Sequence, residues 1–254
     1  MIKNILITGG AGYIGSHVAE YLIKKKFNVF IIDNLSTGYK KLINKKSKFI
    51  KKDLKQTKGL RQIILNNKIN SVIHLAASLN VNESQKNPSK YTANNVKSTT
   101  NLITACKDTL VTSFIFSSTA AVYKDGIYKV NEKSPTRPKS IYGKTKLKAE
   151  MLIKKAFEDN KINYAILRFF NVCGASSSNK IGQINSYDLL FKNLAAATLK
   201  KKPSINIYGN DYQTKDGTCI RDFIHVSDLS EVNAKLLNIF KKIKKSIILN
   251  VGYG

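Results

Sequence analysis

The chain is poor in several residue types that would mark it for a special class. It has no tryptophan, four prolines and three cysteines in 254 residues. Cys106, Cys173 and Cys219 lie far apart and are odd in number, so they form neither a disulfide framework nor a metal-binding spacing. Such sparse cysteine suits a reducing compartment, and the expectation is a cytoplasmic protein. His17, His74 and His225 are equally scattered, so no metal site is expected, and His74 reads as a core histidine rather than a catalyst. No apolar run nears the ~18 residues of a membrane span, and no signal peptide precedes the first apolar run, so no membrane partner is expected. Acidic residues are also few: 16 Asp and Glu stand against 43 Lys and Arg, for a net charge of +27.

Such a charge raises the question of nucleic-acid binding. Arginine, however, is nearly missing, with only Arg61, Arg137, Arg168 and Arg221 present. Arginine is the residue that grips phosphates and bases through two parallel hydrogen bonds. The lysines are spread along the chain, often beside Asn and Ile. Clusters such as Lys24 to Lys26, and Lys241-Lys242 with Lys244-Lys245, fall at helix ends, where cations suit the helix dipole. They read as a solvated face, and no nucleic-acid partner is expected.

What is present is an alternation of short apolar runs and helical patterns, with no repeats and no low-complexity linker. That alternation predicts an α/β fold with a doubly wound parallel sheet, Rossmann-like, followed by a second, smaller domain. Expected strands are Ile5 to Ile7, Phe27 to Ile32, Phe49-Ile50, Ser71 to Ala76, Val111 to Ser117 and Tyr164 to Phe169. Expected helices are Tyr13 to Lys26, Leu60 to Leu65, Pro88 to about Lys107, 140 to 158 and 186 to 200. The rhythm loosens after Asn171. The expected division is therefore a dinucleotide-binding domain over 1–170 and a substrate domain over 171–254.

The first strand runs into Gly9-Gly10-Ala11-Gly12-Tyr13-Ile14-Gly15. Glycines here let the strand turn sharply and let a pyrophosphate approach the backbone. Gly15 lets the next helix pack close, and that helix's N-terminus offers free N–H groups to phosphate. The second strand ends at Asp33, 18 residues past Gly15. A carboxylate there accepts hydrogen bonds from an adenosine ribose and repels a 2′-phosphate, so NAD is expected over NADP.

Chemistry is expected at Thr119, Tyr142 and Lys146. Tyr142 and Lys146 are four apart on one helix and share a face. A free phenol, with a pKa of about 10, is a weak base at neutral pH, and a neighbouring ammonium should lower it. Thr119, at a strand end, can hydrogen-bond both the phenol and a substrate hydroxyl. Such a set removes an alcohol proton while hydride leaves the same carbon for a nicotinamide.

These stretches resemble the extended short-chain dehydrogenase/reductase family, and within it the sugar-nucleotide 4-epimerases. The matching segments are Thr8 to His17, Asp33 to Gly38, Tyr142 to Lys146 and Arg168 to Asn171. The most specific is Gly209 to Tyr212 with Asp216 to Thr218 and Arg221 to Val226. The resemblance implies an NAD site lined by Gly9, Gly12, Tyr13, Ile14, Gly15, Asp33, Asn34, Leu35, Ser36, Thr37, Gly38, Asp53, Leu54, Leu75, Ala76, Ala77, Asn94, Lys146 and Phe170. It implies that Thr119, Tyr142, Asn171, Asn206, Ile207, Tyr208 and Arg221 face a UDP-sugar, with Arg221 on the diphosphate. It also implies a homodimer.

The chain departs from the family pattern at Leu79, where some members have lysine, at Ser98, and at Leu189-Leu190-Phe191. Asn250 to Gly254 resembles a motif that members follow with many more residues, including two charged contacts to UDP. The expectation is therefore a chain that holds NAD but binds UDP weakly and turns over slowly unless a partner chain completes the pocket, with apolar surface left exposed that favours self-association. Sugar-nucleotide dehydratases and decarboxylases need a carboxylate beside the strand-end threonine, where this chain has Ala120 and Ala121. A non-catalytic NAD-binding protein tends to lose the Tyr/Lys pair, which this chain keeps.

Overall fold

The computed structural model describes residues 3–126, 129–159, 161–184, 189–207, 209–243 and 245–254. The first strand, β1 (Asn4–Thr8), holds Ile5, Leu6 and Ile7 at 0% exposure. A strand apolar on both faces belongs in the middle of a parallel sheet covered by helices. Helix α1 (Tyr13–Lys24) follows, then β2 (Asn28–Asp33), β3 (Lys48–Lys51), α2 (Leu60–Asn66) and β4 (Ser71–His74). Next come two short helices, α3 (Val81–Lys86) and α4 (Pro88–Tyr91), then α5 (Ser98–Cys106), β5 (Ser113–Thr119), α6 (Ile141–Ala156) and β6 (Asn163–Phe169). The rest comprises β7 (Asn171–Cys173), α7 (Leu190–Thr198), β8 (Phe223–His225), α8 (Val226–Lys242) and β9 (Ile247–Val251).

Seven strands form one parallel sheet in the order β3-β2-β1-β4-β5-β6-β9. Growth to one side from β1 to β3, then to the other from β4, puts a switch point between β1 and β4, where ligands bind in open α/β sheets. Alternation along each strand feeds two cores. Ile5, Ile7, Ile31 and Ile115 face the layer of α1 and α8. Leu6, Ile32, Phe114 and Phe116 face the layer of α2, α5 and α6. Each fully buried Ile, Leu or Phe stabilises by about 1.5–3 kcal/mol before entropy is counted.

Two expectations are corrected. The helix expected from Pro88 to about Lys107 is not continuous: α4 gives way to a π-helical turn over Thr92–Lys97 before α5. The fifth strand starts at Ser113, two residues later than expected. Parts of the segment after 171 also join the main sheet and its core. Leu229, Leu236, Leu237 and Phe240 of α8 pack with Val18 and Leu22 of α1, and β9 pairs with β6 as the edge strand of the main sheet. Among the described residues, β7 and β8 form a second sheet, two strands wide and parallel. Of the helix expected over 186–200, the structure shows Leu190–Thr198, and residues 186–188 lie outside the described residues. Leu190, Phe191, Leu199 and Ile207 are exposed. No helix among the described residues is long and apolar enough to cross a membrane.

Candidate active site

The glycine loop leaves β1 toward the switch point and is built so that no side chain fits. Gly9 has φ +74°, and a Cβ there would stand 2.7 Å from the Ala76 backbone nitrogen. A Cβ on Gly15 would lie 2.2 Å from the Gly9 carbonyl oxygen. Gly12 caps α1 with extended backbone and no side-chain cap, so the first N–H groups of the helix stay open to an anion.

Asp33, 9% exposed at the end of β2, accepts hydrogen bonds from the backbone N–H of Ala11 at 3.0 Å and of Leu35 at 2.8 Å. This ties the carboxylate to the glycine loop and to the turn that leads to Gly38. Asn34 donates to the Asp53 carboxylate at 3.2 Å. An open helix N-terminus, a backbone cradle and a fixed carboxylate together fit a dinucleotide.

At the other side of the switch point, Leu75 continues from β4, its N–H bonded to Thr8 O at 3.1 Å. Ser78, just beyond Ala76 and Ala77, is fastened to the π-helical turn. Its N–H donates to Asn95 at 2.8 Å, and its hydroxyl accepts from Asn94 at 2.8 Å. Asn95 also reaches Thr145 of α6 at 3.1 Å. The start of α6 is capped by Ser140, and the Tyr142 N–H is held by the Ser84 hydroxyl at 3.1 Å.

Tyr142 and Lys146 therefore project from a helix pinned at several points. The Thr119 hydroxyl, where β5 ends, lies close enough to the phenol to pull its pKa down. Lys146 is 2% exposed, and its Nζ lies 4.4 Å from the centre of the Phe116 ring. The ammonium was expected to lower the phenol pKa, and the structure shows the opposite balance. Burial pushes Tyr142 up to about 12, and only the Thr119 bond pulls it down. Burial likewise pushes Lys146 down to about 7, against the pull of the Glu150 carboxylate. Burial thus opposes the charged form of both groups, and Lys146 is not among the groups that lower the Tyr142 pKa.

His74 is structural, as expected. It is 1% exposed, with Nδ1 2.7 Å from the Thr8 hydroxyl and Nε2 2.9 Å from that of Thr99. Burial and then the Lys146 charge hold its pKa down to about 3. Among the described residues no cluster of His, Cys, Asp and Glu could hold a metal.

The glycine loop, Asp33, Leu35 and Gly38 come together, as do Thr119, Tyr142 and Lys146. Asn171 donates to Asp222 O at 2.8 Å, and Arg221 is exposed with its Nη1 on Ile220 O at 2.9 Å. Neither they nor the exposed Asn206 and Ile207 are hydrogen-bonded to Thr119 or Tyr142. Tyr208 lies outside the described residues. Sequence reading missed the buried ion pair of Glu150 and Arg168. One signal was there, an acid four residues beyond Lys146 on the helix's buried face.

A parallel doubly wound sheet, a glycine cradle at its switch point and a Tyr-x-x-x-Lys helix beside a strand-end threonine define a nicotinamide-dinucleotide enzyme. The family described as NAD dependent epimerase/dehydratase matches residues 5–252. The chain belongs to that family. It is similar to a UDP-glucose 4-epimerase of Lactobacillus helveticus, 38% identical over 252 residues, covering 98% of this chain and 76% of that protein. Among solved structures, it superposes with a TM-score of 0.93 and 32% identity on a Stenotrophomonas maltophila UDP-glucose-4-epimerase with bound NAD and formylated UDP-arabinopyranose, covering 99% of this chain and 78% of that one. A UDP-Glc/GlcNAc 4-epimerase of Campylobacter jejuni matches at 41% identity and a TM-score of 0.84, over 99% of this chain and 79% of that one. The chain spans about three quarters of the length of these relatives, 76–79%.

Proposed function

We propose that the protein is a UDP-glucose 4-epimerase, interconverting UDP-glucose and UDP-galactose through a 4-keto sugar. The observation that carries the reading is the Thr119–Tyr142–Lys146 set at the mouth of a glycine cradle closed by Asp33. NAD, when bound, supplies a reversible hydride acceptor at the sugar's C4. Gly9, Gly12, Tyr13, Ile14 and Gly15 would hold its pyrophosphate. Asp33 to Gly38, with Asp53 and Leu54, would hold the adenosine. Leu75 to Ala77, Asn94, Lys146 and Phe170 would flank the nicotinamide half.

Tyr142 takes the proton from the sugar 4-hydroxyl and later returns it, with Thr119 holding that hydroxyl in line. Lys146 stabilises the phenolate when it carries its proton. Asn171, Asn206, Ile207, Tyr208 and Arg221 would face the nucleotide, Arg221 through charge-assisted bonds to the diphosphate. In this reading residues 1–170 form the cofactor half and 171–254 bring the substrate side, while α8 and β9 serve the sheet.

The same reading takes the protein as a cytoplasmic homodimer, for which exposed Leu110 and Met151 offer apolar surface; sedimentation of the pure chain checks the dimer. Incubation with UDP-galactose tests the function. UDP-glucose should appear without added cofactor, and acid-released cofactor should be NAD(H). No product, or NADP in the acid extract, would overturn the reading.

A further inference from the structure

Glu150 has no part in the reading above, yet its placement is unusual. It is 0% exposed, and its partner Arg168 is 3% exposed. Arg168 grips it through both ends of the guanidinium, Nε to Oε1 at 3.1 Å and Nη2 to Oε2 at 2.8 Å. The Ser118 hydroxyl donates to the same carboxylate. The remaining Arg168 nitrogen donates to the Tyr123 hydroxyl at 3.0 Å and to Glu132 O at 3.3 Å. A buried ion pair is a poor route to stability alone, since an apolar pair of similar volume commonly does as well. Its position suggests another use. Glu150 is one turn beyond Lys146 on α6, Ser118 immediately precedes Thr119 on β5, and Arg168 lies beside Ser118 on β6.

We propose that Glu150, clamped by Arg168 and Ser118, is a positioning residue for the Thr119–Tyr142–Lys146 set. It locks α6 to the end of β5 through Ser118 and Arg168, one helical turn beyond Lys146, and so sets a negative charge near that ammonium. The proposal rests on the epimerase reading for its kinetic consequence, but not for its electrostatic one. Lys146 is surrounded by the Phe116 ring on β5, His74 on β4, and Tyr142 and Glu150 on its own helix, with Arg168 of β6 behind Glu150. His74 is held neutral, so Glu150 is the anion that acts on Lys146. Take its charge away and the ammonium loses its counter-charge while Arg168 is left uncompensated behind it. Both changes favour neutral Lys146.

Glu150→Gln in the full chain with carbon-13-labelled lysine tests this. Exposed lysines titrate around 10.4, so a lysine resonance that titrates near neutral pH, and is missing from Lys146→Met, belongs to Lys146. Its midpoint should fall by roughly one pH unit or more in Glu150→Gln. The turnover number on UDP-galactose should drop on the order of tenfold at neutral pH and recover in part at lower pH, with KM little changed. Glu150→Asp, which keeps the charge, should restore the midpoint. An unchanged midpoint in a folded Glu150→Gln protein overturns the proposal. Should that variant not fold, Glu150→Met with Arg168→Met exchanges the pair for apolar volume; the midpoint should still fall, though by less because no uncompensated Arg168 remains, and an unchanged midpoint again overturns the proposal. A wild-type chain inactive on UDP-galactose would count against the epimerase reading, and the Lys146 titration would still decide the role of Glu150.

Discussion

Tyr142 and Lys146 share a helical face, and burial opposes the charged form of both. The phenol is pushed up to about 12 and the ammonium down to about 7, so each proton moves in a nearly dry setting. Removing the phenolic oxygen while keeping the ring should isolate its chemistry. Tyr142→Phe is expected to lower turnover by at least a thousandfold, on the order of a lost general base together with its hydrogen bonding to substrate. NAD affinity should stay within roughly threefold of wild type, because the ring still fills its place. Turnover assays and calorimetric titration with NAD check both parts; near wild-type turnover would remove Tyr142 from the mechanism. Lys146→Ala should instead damage turnover and NAD binding together, since in the proposed reading Lys146 would also flank the nicotinamide half.

At the scale of elements, the turn from β1 into α1 is closely fitted backbone against backbone. Gly15→Ala would press a methyl against the Gly9 carbonyl oxygen and the Gly10 Cα, both backbone atoms. Overpacking of that kind costs about 1–3 kcal/mol. NAD binding should fall below detection because the phosphate-facing loop must move. Thermal unfolding with and without NAD measures the two effects, and an unshifted NAD response would show that the loop yields more easily than its geometry allows.

The same turn was the easiest element to read in the sequence, because glycine spacing and the apolar run of Ile5 to Ile7 are local signals. Asp33, Tyr142 and Lys146 were legible for the same reason. The three-residue strands β7 and β8 were not, because they are too short to carry a period. The placement of α8 and β9 was illegible too, since their partners on α1 and β6 are distant in sequence and their own pattern fits any amphipathic helix and edge strand. Glu150 and Arg168 escaped notice because two elements must fold before the charges meet. The π-helical turn at Thr92–Lys97 follows from tertiary bonds of Asn94 and Asn95 to Ser78, which no propensity records.

For the whole molecule, the buried neutral His74 links stability to pH. Its folded pKa of about 3 lies below the ordinary 6.5, so the unfolded chain binds the proton first as pH falls. The stability from His74 is full above pH 6.5 and is lost progressively as pH drops from there toward 3. Urea unfolding should show the midpoint falling between pH 7 and pH 4. His74→Gln should flatten part of that decline, though it starts from a less stable protein. An equally steep decline in the variant would assign acid sensitivity to other groups.

The seventh strand of the main sheet has one more consequence, in the timing of synthesis. Lys146 leaves the ribosome about a hundred residues before Val251, the last residue of β9. At the 5–20 residues per second of translation, that is a delay of roughly five to twenty seconds. During it β6 is an open sheet edge, and α1 lacks the apolar cover of α8. The growing chain thus carries its whole proton-transfer set while Phe169, Leu167 and Val18 await their neighbours. In that interval a nascent chain is most exposed to strand pairing with another copy, and a holding chaperone would have most to offer it.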